Sequence, residues 1–212
     1  EDLNLSAPQR IRETELPLHR KLIAKPTNSY SGKGIEVFDG ADQAAASAAL
    51  MKARQASHDG KALLETYVAG QLYSYSCFLE RQQVSEAMVV REDGAASAYT
   101  VDTSYVVTDF PKIGARILKD FIERLATNLK LVDGLFHVQC IWDGTQPWLI
   151  EATRRCPGDL YPRLIELSTG IPYAARYASY FVKRSPPSNS NMETSRSVLR
   201  HTFSAAFGEY EG

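Results

Sequence analysis

Turn signals cut this chain into runs too short for most helices. Asp39-Gly40, Asp59-Gly60, Ala69-Gly70, Asp93-Gly94 and Asp143-Gly144 punctuate stretches rich in Val, Ile, Tyr, Phe and Ser. Such runs, bounded by Gly, Asp and Pro, read as strands. They fall at 21–26, where Pro26 stops the strand, and at 35–38, 62–68, 72–80, 84–91, 99–108, 134–142, 147–152 and 197–207. Asp93-Gly94 supplies the turn between the fifth and sixth, and Asp143-Gly144 closes a hairpin. The period switches in only a few places. Residues 41–57 are rich in good helix formers, and Ile113, Ile117, Phe121, Leu125 and Leu129 recur every four residues within 112–130. Two further helices are expected at 160–168 and 172–182, around Gly170. Hairpins outnumber strand–helix alternations, so the pattern predicts an α+β fold with antiparallel sheets rather than a doubly wound parallel one. Residues 1–20 show no firm period, and 184–197 read as a Pro/Ser/Asn-rich linker before the terminal strand.

Composition narrows the function. The 212 residues carry a formal net charge of -1, with scattered rather than clustered basic residues. Neither nucleic acid nor an anionic membrane is expected as a partner. No apolar run is long enough to span a bilayer, and no signal peptide opens the chain. Cys77, Cys140 and Cys156 are far apart and form no CxxC pair, which points to a reducing, cytoplasmic setting rather than to structural zinc.

Three segments carry chemistry. Lys25 precedes the loop Thr27 to Gly34, in which Gly32 and Gly34 let the backbone turn and Ser31, Lys33 and Lys25 offer donors and charge to an anion. The GxxxxGK[ST] spacing of a Walker A loop is absent. Glu65, Thr66, Tyr67 and Val68 form an extended segment able to offer backbone groups to an adenine edge. Alternation places His137, Gln139 and Ile141 on one face of their strand, and Leu149, Glu151 and Thr153 on one face of the next. Gln139 and Glu151 then face each other across the hairpin, with Arg154 and Arg155 just beyond. Hard oxygen donors of this kind suit Mg²⁺ held jointly with nucleotide phosphates. His137, flanked by apolar residues, reads as a sheet residue.

In this order the segments resemble the ATP-grasp superfamily over about residues 16 to 182. Ile23 to Pro26 with Ser31 to Ile35 looks like its phosphate-covering segment, and Leu63 to Ser74 like its adenine-binding segment. Gly134 to Gln139 and Trp148 to Arg155 look like its two metal-holding strands. The resemblance implies an ATP-grasp fold, with two α/β lobes whose antiparallel sheets clamp the nucleotide. The small lobe would span about 13–68 and the larger about 69–183, with 184–212 as linker and terminal strand. It implies ATP with Mg²⁺ (or Mn²⁺) as cofactors. Lys25, Ser31, Gly32, Lys33 and Gly34 would bind at the phosphates, and Glu65 to Val68 at the adenine. Gln139, Glu151 and Thr153 would stand at the metal, with Lys25 and Arg155 as catalytic residues.

The implied function is that of an ATP-dependent ligase joining a small-molecule carboxylate to an amine or thiol through an acyl phosphate. Complete members carry an N-terminal Rossmann-like domain, which would be a further partner, and a homodimer is allowed for. Gln139 stands where the family has an acid, Thr153 where it usually has Asn, and Leu72 where many members have Glu near the ribose. An amide oxygen binds Mg²⁺ without offsetting its charge, which weighs against a two-metal site. Two other readings follow: a nucleotide-binding module that has lost catalysis, and a carbamoyl-phosphate-synthase-like or biotin-carboxylase-like member.

Overall fold

Leu22 and Ala24 point to one side of β1 (Lys21–Pro26) and Lys25 to the other. The strand pairs antiparallel with β2 (Glu36–Asp39) and β3 (Ala62–Thr66), giving a three-stranded sheet in the order β2-β1-β3. Helix α1 (Gln43–Ala56) covers its apolar side. Ala46, Ala49, Leu50 and Ala53 recur at helical spacing and meet Leu22, Ala24, Phe38 and Leu64. The Asp42 carboxylate accepts the Ala45 amide at 2.9 Å and fixes the start of the helix. This is a computed structural model describing residues 5–30, 32–94, 99–158, 160–182, 185 and 198–201.

The larger lobe is built on β4 (Gln71–Glu80), β5 (Gln83–Asp93), β6 (Thr103–Val107), β7 (Gly134–Trp142), β8 (Pro147–Thr153) and β9 (Leu199–His201). They form one antiparallel sheet in the order β8-β7-β4-β5-β6-β9. Both faces of its centre are covered, which is why β4 is buried continuously from Ser74 to Leu79. On one face, α2 (Lys112–Asn128) sets Leu118, Phe121, Ile122 and Ala126 against Tyr75, Cys77, Leu79, Phe136, Val138 and Cys140. On the other, α3 (Tyr161–Thr169) and α4 (Tyr173–Ser179) pack Tyr161, Leu164, Ile165 and Tyr173 on Phe78, Met88, Val90 and Leu135. Two α+β lobes with antiparallel sheets are therefore what the chain forms.

Several expectations need correction. Asp93-Gly94 is not a tight turn: Asp93 ends β5 and pairs with Thr103, so 94–102 connect the strands. The tight turn instead joins β4 to β5 at Arg81 and Gln82, both at positive φ (51° and 65°), between the paired residues Glu80 and Gln83. That is the backbone of a type I′ turn without its usual Asn or Gly. The Arg81 amide donates to Asp133 at 2.7 Å, one compensation for this backbone. β3 stops at Thr66, β6 covers 103–107 only, and α4 ends at Ser179. In the terminal stretch the structure describes Leu199–His201, and residues 202–207 lie outside the described residues, as does almost all of the 184–197 linker.

The N-terminal stretch joins the two sheets. The Ser6 carbonyl accepts the Leu149 amide at 2.8 Å on the edge of β8, and Leu5 packs into the α2-side core. Further along, Gln9 O accepts the Thr66 amide and the Ile11 amide donates to Leu64 O, both at 2.9 Å, along the edge of β3. Ile11 packs against the small-lobe core.

Candidate functional site

The sheet register decides which polar side chains meet. Gln139 pairs with Glu151, and His137 with Thr153, across β7 and β8. A bulge between Gln139 and Cys140 shifts the register, so Leu149 pairs with Cys140 and packs on the α2 side. The expectation that Leu149 shares a face with Glu151 and Thr153 fails for that reason. Glu151 and Arg155 are exposed and Thr153 half-buried. Arg155 lines one cavity together with Gln139, Glu151 and Thr153, and its amide donates to Thr153 Oγ1 at 3.3 Å. Arg154 turns away, donating to the carbonyls of Leu135 and Val132 at 3.2 and 2.7 Å.

The cavity holds about 280 Å³. Two of its lining residues, Glu92 and Arg200, were not expected from the sequence. Glu92, on β5, is only 6% exposed and accepts Gln139 Nε2 at 2.8 Å, reaching over β4 to do so. Burial pushes its carboxyl pKa up, while hydrogen bonds from Ser74 and Gln139 and the charge of Arg200 hold it back. Arg200 donates to Ser104 Oγ at 2.8 Å. The one sequence signal was the alternation of Ser74 and Ser76 on a strand of buried residues, which marks a polar row. A wider hollow of about 410 Å³ lies along α2, where among the described residues Gln83 alone joins the helix's own side chains. It lacks the convergence of several strands that the smaller cavity has.

Behind the cavity the row continues as a buried network. Ser74 Oγ is 2.9 Å from Tyr161 Oη, and Ser76 Oγ is 2.6 Å from His137 Nδ1. The His137 ring meets Tyr161 edge-on. Burial first, and the charge of Arg155 second, lower the His137 pKa from 6.5 to about 4. The folded chain thus keeps His137 neutral while the unfolded chain protonates it below 6.5. Its contribution to stability is present above 6.5 and is lost as pH falls toward 4. At about 1.4 kcal/mol per unit this is worth roughly 3 kcal/mol. Glu92 titrates with the opposite sign, so the test is a comparison. Chemical denaturation of the wild type and of His137→Gln between pH 7 and 4 should show a shallower acid loss in the variant. Equal slopes would refute it.

The small-lobe residues gather separately. Lys25 Nζ lies 2.6 Å from Glu65 Oε2, with both side chains mostly buried. Glu65 pairs with Ile23 on one side and bridges to Arg10 on the other. The Thr66 amide is taken by Gln9 O and the Tyr67 amide by Lys21 O, each at 2.9 Å. Three of the four residues expected at the adenine, Glu65, Thr66 and Tyr67, are thus engaged within the protein. Gly32 (φ 70°) approaches the larger lobe so closely that a Cβ there would stand 2.3 Å from the Tyr99 carbonyl oxygen. Gly34 (φ 78°) closes the same turn, Lys33 stacks its ammonium over the Tyr30 ring, and Ser31 lies outside the described residues. Among the described residues, none of those from the small lobe lines the cavity, whose described lining comes from the larger lobe.

No family model matches the sequence, and no curated protein matches it. Solved structures do. The chain is similar to an L-amino acid ligase from Bacillus licheniformis at 15% identity, with a TM-score of 0.70 over 93% of this chain and 49% of that one. It is similar to biotin carboxylase from Campylobacter jejuni, solved with β,γ-ATP, at 12% identity and a TM-score of 0.70, covering 93% and 47%. It is also similar to N5-carboxyaminoimidazole ribonucleotide synthetase in its ADP complex, at 15% identity and a TM-score of 0.71, covering 93% and 52%. The fold is therefore the ATP-grasp fold, and the chain spans about half the length of these structures. Among the described residues, no helix is long and apolar enough to cross a membrane.

Proposed function

We propose that the chain is the ATP-binding and metal-holding part of an ATP-dependent ligase that joins a small-molecule carboxylate to an amine or thiol. One observation carries this reading: the register that brings Gln139, Glu151, Thr153 and Arg155 into a single cavity. The fold of ATP-complexed and ADP-complexed enzymes supports it. The small lobe is taken as about 13–68 and the larger as about 69–183, with Lys25, the Ser31–Gly34 loop and Glu65 to Val68 on the nucleotide side. A preceding domain would contribute to holding the carboxylate. The unpaired Cys77, Cys140 and Cys156 agree with a cytoplasmic setting.

The donor set fits a hard divalent cation. Glu151 offers a carboxylate, Thr153 a hydroxyl and Gln139 an amide, all oxygen chemistry suited to Mg²⁺. Among the described residues no group of three or more His, Cys, Asp or Glu side chains forms a metal cage. The cation would therefore be shared with nucleotide phosphates, as is usual for Mg²⁺. When bound it supplies charge neutralisation at those phosphates. Arg155, exposed at the rim, meets the phosphoryl group as it transfers to the carboxylate and then steadies the acyl phosphate. The buried Ser74–Tyr161 and Ser76–His137 pairs hold the floor in place.

Isothermal calorimetry with ATP, with and without Mg²⁺, tests the reading, followed by phosphate release with added acids and amines. Mg²⁺-dependent binding is expected. Its absence would refute the reading. The likeness to biotin carboxylase keeps one alternative in view, in which phosphate release requires bicarbonate instead of an acid and an amine. Binding without turnover, whatever the acceptor, would mark a module that has lost catalysis.

A further inference from the structure

An acid stands beside the position where the larger lobe's cavity has an amide. Glu92 and Gln139 lie two strands apart, separated by β4, yet their side chains meet at 2.8 Å. Glu92 is almost wholly buried there and reaches Gln139 diagonally, since it pairs with Leu72 while Gln139 pairs with Ser74 on one side and with the exposed Glu151 on the other. A carboxylate only accepts hydrogen bonds, so the end of the amide that faces Glu92 must be its NH₂. That leaves Gln139 Oε1 as the end available to the cavity, on the residue paired with Glu151.

Resting on the reading above, we infer that Glu92 is a positioning residue for the cation site. It locks Gln139 with its oxygen toward the cavity, and it returns to this side of the site the negative charge that an amide lacks. Without that lock an amide presents nitrogen as readily as oxygen, and nitrogen-bound hydrogens repel a cation. The pair together then does the work of one acidic ligand, with the charge set one residue behind the contacting atom. A buried acid that serves only the fold would need a hydrogen-bond donor but would have no effect on cation binding.

The test is an exchange of the two residues. Gln139→Glu alone sets two carboxylates against one another, so it is made only in combination. Calorimetric titration with ADP, with and without Mg²⁺, compares the wild type, Glu92→Gln and the double variant E92Q/Q139E. Glu92→Gln should weaken Mg²⁺-dependent binding by about tenfold and leave Mg²⁺-free binding within about twofold. The double variant keeps the hydrogen bond and the net charge, and it should return to within about threefold of the wild type. Unchanged Mg²⁺-dependent binding in Glu92→Gln would overturn the inference. So would an equal loss with and without Mg²⁺, or a double variant no better than the single. Should Glu92→Gln fail to fold by circular dichroism, the double variant alone decides, with near wild-type affinity as support and a tenfold loss as refutation. If the wild type shows no Mg²⁺-dependent binding, the proposed function and this inference fall together. If it does, only the inference is at stake.

Discussion

Replacing Glu151 by alanine is expected to weaken Mg²⁺-dependent ATP binding by about a hundredfold or more, roughly 3 kcal/mol. Two carboxylates line the cavity, and they are not equivalent. Glu92 is buried and engaged by Gln139, whereas Glu151 is exposed at the end of β8 with its acceptor capacity turned to the cavity. A cation shared between protein and phosphates leans on one or two carboxylates, and Glu151 is the one able to touch it. The fold should tolerate the change, because an exposed side chain on an edge strand contributes little to stability. A thermal midpoint within a few degrees of the wild type would separate lost binding from lost structure. Binding of ATP with Mg²⁺ that stays within threefold of the wild type in Glu151→Ala would remove this residue from the site.

The largest effect on stability is expected at Phe78. It is fully buried in the central strand β4 and organises the α4 side of the sheet. Its ring centroid lies 5.3 Å from that of Tyr173 and 6.1 Å from that of Tyr180. The Arg176 guanidinium stands over its face at 4.6 Å. Arg176 is held by Glu80 at 2.7 Å, by Ser85 at 2.9 Å and by Glu86, yet its buried Nε has no hydrogen-bond partner among the described residues. The ring face is what offsets that cost. Phe78→Ala should lose about 4 kcal/mol from the cavity alone and leave Arg176 without its stacking partner. Urea unfolding should show a large fall in midpoint at nearly constant slope, with Phe78→Leu well above Phe78→Ala. A loss below about 1 kcal/mol would contradict this account of the core.

The fold was legible wherever signals are local. The β7–β8 hairpin follows from alternation and Asp143-Gly144, and α2 from its four-residue apolar spacing. The first helix was expected from its helix-forming residues at 41–57, whereas its start at Gln43 is set by the Asp42 cap, which that reading had placed inside the helix. What escaped depends on distant chain segments meeting. Glu92 sits in an acidic strand end that looks solvated in sequence, and it becomes part of the cavity only because β4 lies between β5 and β7. Arg200 reaches the site because β9 pairs with β6, a contact across nearly a hundred residues of chain that no local pattern announces. The Arg81-Gln82 turn carries neither Gly nor Asn, so its positive φ values are imposed by the strands on either side. The bulge opposite Gln139 moved Leu149 to the other face, although the facing of Gln139 and Glu151 was anticipated.

The segment from Ser6 to Ile11 has a mechanical consequence. Among the described residues the chain passes between the lobes twice, once from Ser6 to Gln9 and once from Tyr67 to Gly70. Both passages run from β3 to the end of the larger sheet where β7 turns into β8, since Ser6 bonds Leu149 and a Cβ on Gly70 would stand 2.4 Å from the Trp142 carbonyl oxygen. A body held by one string can swing in any direction, but a body held by two neighbouring strings turns most easily about the line between them. Three residue steps from Ser6 to Gln9 extend to about 10 Å at most, so the lobes cannot part further there while both ends stay bonded. Rotation about the line between the two passages is then the easiest relative motion, like that of a door on two pins.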